Sequence, residues 1–288
     1  MSAFAERLDV RRRLRFARSW PTRIALLILF AVGAVAFLGP FFAPHSPSEL
    51  AGQAFAQPSS AFPLGTDYLG EDVLSRVLWG GRSVIVFAAL ATGLAYLAGG
   101  SIGLFTGFRR GFADNLLMRS MDVLLAFPPI LFLLLLATGA GPSVTVLILG
   151  IAIVQVPSVA RIIRTATLDV AHRGYVEAAL ARGDSTFAIL RREILPNIGG
   201  TVAADAGPRF TISILLVAAV NFLGLGLAPP AADWAIMISE NRTAITIQPW
   251  AVVVPALLIA VLTISLNVVA DGVARAQGRS IDTGGLLR

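Results

Sequence analysis

Long runs without a charged residue limit the fold of this chain more than any other feature of its sequence. The first, Ile24 to Ala43, has the ~20 residues that a helix rising ~1.5 Å per residue needs to cross a hydrocarbon core of ~30 Å. The run 123–160 is long enough for two such helices joined by a turn at 139–143. Similar runs lie within 83–108, 210–232 and 249–270. We therefore predict an all-α, polytopic membrane protein with six transmembrane helices.

Composition supports a membrane protein and excludes several enzyme classes. The chain is 56% hydrophobic and only 14% charged, with a mean hydropathy of +0.78. All 23 basic residues are arginine, so the lysine of a phosphate-binding P-loop is missing. There is no cysteine, and the two histidines, His45 and His172, lie far apart in sequence. We predict no catalytic residue, no metal site and no cofactor in this chain.

Arginine placement predicts the orientation in the membrane. If the N-terminus is cytoplasmic, the segments on the cytoplasmic side contain 20 of the 23 arginines, and only Arg76, Arg82 and Arg242 lie outside. Both termini are therefore predicted to be cytoplasmic, and the positive charge indicates membrane lipid rather than nucleic acid as a partner. A cleaved signal peptide is the competing interpretation of the N-terminus, but its apolar run would be unusually long and further spans follow.

These features divide the chain into five segments. They are a basic cytoplasmic N-terminal segment (1–23), a first transmembrane helix (24–43), an extracytoplasmic loop with an interfacial helix (44–82), a five-helix core (83–273) that includes a cytoplasmic loop (165–200), and a cytoplasmic tail (274–288). Pro128 and Pro129 are expected to kink the third span or to delay its start.

The interfacial helix is predicted from a cap and a periodic stripe. Thr66 or Asp67 can cap it, and apolar residues follow at helical spacing. Those apolar residues are Leu69, Val73 and Val77. Such a helix either lies on the membrane surface or packs as an ordinary loop helix on neighbouring spans.

Residues 175–197, YVEAALARGDSTFAILRREILPN, form a charged stretch between two spans. Gly183 predicts the end of a first helix, and Pro196 is expected to end a second. The second helix can be capped by Asp184, Ser185 or Thr186. A regular second helix would place Phe187, Leu190 and Ile194 on one apolar face, away from Arg191, Arg192 and Glu193. A hairpin of this kind is suited to docking on a partner.

The same stretch matches a known motif, EAA-x3-G-x9-(I)-x-L-P. The matching residues are Glu177, Ala178, Ala179, Gly183, Leu195 and Pro196. The motif is that of the membrane subunits of binding-protein-dependent ABC importers, and the chain resembles that family from about residue 20 to 275. The resemblance implies that 175–197, the coupling segment from here on, sits in a groove of a separate ATP-hydrolysing subunit. Glu193 stands where the family often has Ile or His.

Two further motifs narrow the resemblance to the dipeptide, oligopeptide and nickel permease branch. The extracytoplasmic motif PLGTDYLGEDVLSRVLWGGRSV contributes Gly65, Thr66, Asp67, Gly70, Asp72, Ser75 and Arg76. The exit of the fifth span, FLGLGLAPPAADWAIMI, contributes Gly224, Gly226, Pro230 and Trp234, with Ala235 in place of the usual Gly. A single span followed by a long loop is similar to the C-type partner of the two permease subunits.

The resemblance implies a set of partners and a location. It implies a homologous second permease subunit, two ATPase subunits that bind ATP and Mg²⁺, an extracytoplasmic solute-binding protein, and the cytoplasmic membrane of a bacterium or archaeon. The substrate implied is a di- or oligopeptide, with a nickel chelate, glutathione or another small solute as alternatives. A stand-alone channel, a secondary carrier and a structural scaffold are less favoured functions. No residue is assigned to substrate binding.

Several side chains keep two interpretations at this point. Glu177 either bonds to donors on a partner or pairs internally with Arg173 or Arg182. The charged residues of the extracytoplasmic motif either contact the binding protein or cap local structure; they are Asp67, Asp72 and Arg76. Gln155 and Asn221, inside the predicted spans, favour interhelical hydrogen bonds over substrate contacts.

Overall fold

The computed structural model describes residues 19–227 and 231–282, with side chains up to residue 275. Within those ranges it is helical apart from connecting loops and two isolated antiparallel bridges, which pair Leu50 with Glu71 and Thr66 with Asp72. The helices are α1 (Trp20–Leu38), α2 (Val73–Phe108), α3 (Phe112–Leu125), α4 (Pro129–Ala140), α5 (Val144–Ala171), α6 (Gly174–Ala181), α7 (Thr186–Ile189), α8 (Leu195–Phe222), α9 (Trp234–Asn241) and α10 (Trp250–Asp282). A π-helical turn, Leu190–Ile194, joins α7 to α8, and short 3-10 turns occupy Gly39–Phe41 and Arg242–Ala244.

Five of the described helical rods are long and apolar enough to cross a membrane. They are Trp20–Phe41, Val73–Phe108, Val144–Ala171, Thr186–Phe222 and Trp250–Arg275. Helices α3 and α4 pass the same test only as a pair, bent by 87° at the break between them. If this pair is one broken span, the described helices make six, as predicted. Of the two effects predicted for Pro128 and Pro129, the structure shows the kink, because the pair bends at this break and α4 begins at Pro129.

Two arginine–aspartate pairs hold α3 across α5. Arg164 of α5 donates from Nε and Nη2 to the two carboxylate oxygens of Asp114, each over 2.7 Å. One turn earlier on α5, Arg161 pairs with Asp122 near the other end of α3. The two pairs attach α3 to one face of α5, since Arg161 and Arg164 are three residues apart on that helix.

Glycines allow α2 and α5 to approach closely. Gly99, Gly103 and Gly107 repeat at intervals of four along α2, so they lie on one face. A β-carbon at Gly103 would lie 2.5 Å from the carbonyl oxygen of Ala160 on α5, which is closer than van der Waals contact allows. This small-residue face lets the backbones of α2 and α5 pack closely together.

The prediction of a separate interfacial helix before the second span is wrong. Helix α2 begins at Val73 and runs without a break past Ser83, where the predicted loop ended. Its cap is Asp72, which accepts hydrogen bonds from the amides of Leu74 and Ser75. The carboxylate of Asp67 instead accepts hydrogen bonds from loop amides before the helix. Val73 and Val77 are therefore buried in the first turns of the span itself.

The buried apolar side chains form two clusters at different levels of the spans. The larger one joins α1, α2, α5, α8 and α10 and includes Trp234 of α9. The smaller one brings Val176 and Ala179 of α6 against α5 and α8. It consists of Ala95, Val159, Ile163, Ala166, Val176, Ala179, Ile189, Ile194 and Ile198. The coupling segment is thus packed onto two spans rather than suspended as a free loop.

A polar junction lies between the spans of the membrane core. Gln155 of α5 donates from Nε2 to Ser213 Oγ of α8 over 2.5 Å, and Ser213 is 2.6 Å from Thr92 of α2. The interhelical role predicted for Gln155 is confirmed. Asn221 instead accepts, through Oδ1, from the backbone amide of Leu227 just beyond its own helix.

Candidate functional site

The coupling segment begins with a short helix that stops where the sequence predicts. Helix α6 ends at Ala181, and Gly183 adopts φ +81°, a left-handed conformation that favours glycine. The amide of Asp184 returns to the carbonyl of Ala179 over 3.1 Å, which closes the helix end. Of the three candidate caps for the next helix, Ser185 is the one used, since its Oγ accepts from the amide of Ala188.

Burial separates the residues of the EAA motif into two roles. Ala179 and its neighbour Val176 are fully buried against the smaller cluster, so they attach α6 to the spans. Glu177 and Ala178 face outward and are exposed. A larger residue at 179 would push α6 away from α5, whereas the carboxylate of Glu177 is exposed on the outer side of α6.

The internal salt bridge considered for Glu177 does not form. Arg182 pairs with Asp184 over 2.9 Å instead. Within the ranges that the structure covers, Glu177 has neither an ion pair nor a side-chain hydrogen bond. Its charge is therefore available for a charge-assisted bond to another molecule.

The prediction that Pro196 ends the second helix is wrong. Helix α7 runs through the π-helical turn directly into α8, so that Thr186–Phe222 forms one rod of 37 residues. Pro196 lies directly after the π-helical turn, inside this continuous rod and not at a free helix start. Leu195 and Pro196 are exposed beside this turn. The coupling segment is therefore joined to the fifth span without an intervening loop.

The predicted apolar face of this helix is also wrong at one position. Phe187 is 72% exposed, whereas Ile189, Ile194 and Ile198 are buried. The π-helical turn holds one more residue than an α-turn, so it moves Phe187 out of the face that a regular helix would bury. The coupling segment consequently presents a set of exposed apolar side chains, Tyr175, Leu180, Phe187 and Leu195.

At the opposite ends of the spans, the extracytoplasmic motif surrounds one buried arginine. Arg76 is 1% exposed and sits among three carboxylates. Its Nη1 pairs with Asp67 and lies 2.6 Å from Glu71 Oε2, and its Nη2 lies 3.0 Å from Glu240 Oε2. These residues come from the loop, the first turn of α2 and α9, so the cluster ties three segments together.

Asp67 and Asp72 stabilise the local backbone by accepting hydrogen bonds from neighbouring groups. Asp67 accepts from the amides of Leu69 and Glu71, and Asp72 accepts from Ser75 Oγ over 2.6 Å. Both aspartates are fully buried. Of the two roles considered for them, the structure supports capping of local structure and not contact with another protein.

Gly65, Thr66 and Gly70 shape the loop that carries these acids. Gly65 and Gly70 have φ of +73° and +85°, and a β-carbon at Gly70 would collide with the carbonyl of Gly52. Thr66 Oγ1 donates to the carbonyl of Gln53 and accepts from the amide of Ala56. The loop is folded back on itself before it enters α2.

The cluster around Arg76 has more carboxylates than cations, and the pKa values of two of these carboxylates are raised. Burial raises the pKa of Glu71 to about 7, with a further contribution from the nearby charge of Asp67, and Arg76 opposes both. Burial also raises the pKa of Glu240, against the opposing effect of Arg76. One guanidinium cannot neutralise three carboxylates, so the neutral form of a carboxyl is favoured.

The exit of the fifth span packs onto the start of the second. Trp234 is buried, and its ring lies over Gly80 and Gly81 of α2. Asp233 caps α9 through the amides of Ala235 and Ile236 and accepts a hydrogen bond from Ser83. The extracytoplasmic motif and the fifth-span exit, far apart in sequence, thus form one structural unit.

The glycines of this exit serve the turn after α8. Gly224 has φ +74°, and a β-carbon at Gly226 would collide with Asn221 Oδ1. Both positions require glycine in this geometry. Pro230 lies outside the described residues.

Comparison with known proteins agrees with this arrangement. Residues 99–283 match the family model described as "binding-protein-dependent transport system inner membrane component". The chain belongs to this family. The matched range contains both the coupling segment and the fifth-span exit.

Named relatives of this inner membrane component are similar over nearly their whole length. A glutathione transport system permease protein, GsiD, from Pectobacterium atrosepticum is 32% identical over 91% of this chain and 88% of that protein. A di/tripeptide transport system permease protein, DppC, from Pseudomonas aeruginosa is 33% identical over 87% of this chain and 85% of that protein. The chain is an ABC importer permease of the peptide branch, as the sequence motifs predicted.

Solved structures support the fold of the permease. The MetNI methionine ABC transporter in an inward-facing form contains a chain with a TM-score of 0.57 and 17% identity, covering 71% of this chain and 96% of that one. An amino acid ABC transporter with histidines gives a TM-score of 0.52 at 20% identity, over 67% of this chain and 89% of that one. At these identities the likeness concerns the fold alone.

Sequence reasoning missed two acids of the permease's extracytoplasmic cluster. Glu71 and Glu240 lie among the three carboxylates around Arg76, yet neither was singled out. For Glu71 a signal existed, since it stands within the motif between Gly70 and Asp72. For Glu240 none existed, because its approach to Arg76 depends on how α9 packs after the fifth span.

Proposed function

We propose that this chain is the permease subunit of an ATP-driven importer in which separate subunits bind ATP and Mg²⁺ and hydrolyse the nucleotide. The observation that carries the proposal is that the coupling segment has a buried side packed on the spans and an exposed side. Val176 and Ala179 attach it to the spans, while Glu177, Ala178 and Phe187 face outward without an internal partner. A surface built in this way can receive force from another molecule and pass it to the membrane core.

Transmission would use the rigid connections at each end of the segment. Helix α6 packs on α5 through the smaller cluster, and α7 is continuous with α8. Closure of two ATPase subunits on ATP would move both connections together and shift the balance between outward-open and inward-open states. A homologous second permease would supply the other half of the path, and both termini would be cytoplasmic.

The proposed substrate is a di- or oligopeptide delivered by an extracytoplasmic solute-binding protein. The support is the similarity to permeases named for dipeptides and di/tripeptides. Glutathione, itself a tripeptide, is the second candidate, supported by the similarity to the glutathione permease protein. A nickel chelate remains a third possibility from the motif branch. The proposed location is the cytoplasmic membrane of a bacterium or archaeon.

ATP-dependent uptake tests the proposal. The chain is co-expressed with the second permease, the ATPase subunits and the binding protein, and the complex is reconstituted in liposomes. Labelled dipeptide or glutathione is added on the side of the membrane where the binding protein docks. We expect uptake only when ATP is present on the side of the membrane where the ATPase subunits are bound. Uptake that proceeds without ATP or partners would support a stand-alone carrier and contradict the proposal.

Two variants of the coupling segment test its role within that assay. Glu177→Arg reverses the exposed charge, and Gly183→Pro prevents the left-handed turn. Both should leave the permease in the membrane while uptake falls relative to ATP hydrolysis. Glu49→Gln, an exposed acid in the extracytoplasmic loop, is the control and should behave as the unaltered complex.

A further inference from the structure

The joint between the coupling segment and the fifth span contains one residue more than a regular helix would hold. In the turn Leu190–Ile194 the amide of Leu195 reaches the carbonyl of Leu190, five residues back instead of four. Such a wide turn is equivalent to an inserted residue inside an otherwise continuous helix. It divides the rod Thr186–Phe222 into a cytoplasmic part and a membrane part.

Pro196 explains why the turn opens at this place. In a regular helix the Pro196 ring would meet the carbonyl of Arg192, four residues earlier, and would offer it no N–H. A wide turn directly before the proline relieves that contact. Asn197 adds a local partner, because its Nδ2 donates to the carbonyl of Glu193 over 2.6 Å.

The extra residue sets the rotation of one part of the rod relative to the other. In a regular helix Ile189 and Ile194 would point about 140° apart. In the structure both are buried in the smaller cluster, together with Ile198. The wide turn is what allows all three to face the spans at once.

The same rotation determines where Phe187 points. A regular helix would place Phe187 on the face of Leu190 and Ile194, at spacings of three and seven residues. With the extra residue absorbed, Phe187 lies 72% exposed while Ile194 is fully buried. A large aromatic side chain is thus presented on the outer side of the coupling segment.

We propose that Pro196 and the wide turn Leu190–Ile194 are positioning elements, which set the rotation of the coupling segment relative to the fifth span. The extra residue in this turn directs Phe187 toward the ATP-hydrolysing subunit, where its ring is an apolar anchor. The inference rests on the proposed function, since it presumes that partner. Leu195 and Pro196 then act through the register of the helix. Phe187 supplies the contact.

Deletions test the absorbed residue. Removing Arg191, an exposed residue of the wide turn, together with Pro196→Ala lets the turn close to a regular one without the contact of the proline ring, while Ile189 and Phe187 keep their directions. Removing Thr201, an exposed residue in the regular part of α8, turns everything before it by about 100°. Arg191→Ala controls for the lost charge. The measurement is the amount of ATPase subunit that co-purifies with each tagged permease and the uptake per ATP hydrolysed.

We expect the Arg191 deletion to retain the ATPase subunit within about twofold of Arg191→Ala, and the Thr201 deletion to lose it by ~10-fold or more. Equal losses for both deletions would overturn the inference. If the Thr201 deletion does not fold, a large loss for the Arg191 deletion relative to Arg191→Ala overturns it by itself. Folding is checked by size-exclusion chromatography of each variant.

A matched pair of aromatic truncations tests the anchor. Phe187→Ala should reduce co-purifying ATPase subunit by ~10-fold, because buried aromatic anchors carry much of the binding energy of an interface. Phe112→Ala removes a phenylalanine at the start of α3 that is also largely exposed, and it should have no such effect. Retention by Phe187→Ala equal to that of Phe112→Ala would overturn the inference. An unaltered chain that retains no ATPase subunit would instead overturn the proposed function, before any variant is compared.

Discussion

The indole Nε1 of Trp234 donates a hydrogen bond of 2.8 Å to the backbone carbonyl of Val77, and the two residues are 157 positions apart in the chain. Both are buried, and the hydrogen bond satisfies the one polar atom of the indole. It fixes the segment after the fifth span against the first turns of the second. These ends of the second and fifth spans are therefore joined to each other.

Gly81 is where this contact is most sensitive to substitution. A β-carbon there would lie 2.6 Å from the Cβ of Ala36 and 2.6 Å from Trp234 Cζ2, so one of these groups must shift. We expect Gly81→Ala to lower the free energy of unfolding by about 1–3 kcal/mol, the usual cost of overpacking a core. Thermal unfolding of the purified complex in detergent measures the change.

Gly93 in the same helix provides the control for Gly81. A β-carbon at Gly93 would meet no atom within 4 Å. Gly93→Ala should therefore unfold at the temperature of the unaltered protein or slightly above it, because alanine favours a helix more than glycine does. If the two alanine variants unfold at the same temperature, Gly81 is not a packing constraint.

Arg76 should be the most costly single side chain to remove from the extracytoplasmic face. Arg76→Met leaves Asp67, Glu71 and Glu240 without their shared cation in a buried site. We expect a loss of about 3–5 kcal/mol, the cost of breaking a buried ion pair from one side. Arg119→Ala, at an exposed position, should cost under about 0.5 kcal/mol. Comparable losses in unfolding experiments would contradict the structural role of Arg76.

The predictability of each element follows from how local its cause is. The spans, the stop at Gly183 and the bend before α4 depend on residues within one or two turns, so hydropathy and proline or glycine chemistry predict them. The predicted burial of Phe187 and the predicted helix end at Pro196 were wrong for a common reason. The wide turn depends both on Pro196 and on the packing of Ile194 against spans that are distant in sequence. Helical periodicity alone carries no information about an inserted residue.

The functional-site residues were also predictable only where their cause is local in sequence. The motif residues of the coupling segment were found from sequence, but their separation into buried Ala179 and exposed Glu177 needed the packing of α6. Asp67 and Arg76 were found, but their burial was not foreseen, since a polar loop outside the membrane is expected to be solvated. Glu240 reaches Arg76 only through the placement of α9, a contact that no local pattern reports.

The stability of the permease should depend on pH through Glu71. Its pKa is about 7 in the folded protein and 4.5 for an unperturbed glutamate, so the folded state holds the proton more tightly. Protonation therefore stabilises the fold fully below about pH 4.5, and this contribution is lost as the pH rises to about 7. The pKa of Glu240 is also raised by burial, and Glu240 contributes in the same direction.

The difference between the unaltered permease and Glu71→Gln isolates this effect. Glutamine resembles the protonated acid in shape and lacks its charge, so the variant should not lose stability as Glu71 ionises. We expect the unfolding temperature of the variant to exceed that of the unaltered permease by more at pH 8 than at pH 5. Glu49→Gln, at an exposed position, should show no such dependence. A difference that is the same at pH 5 and pH 8 would mean that Glu71 keeps its charge across this range, with Arg76 alone sufficient to hold it.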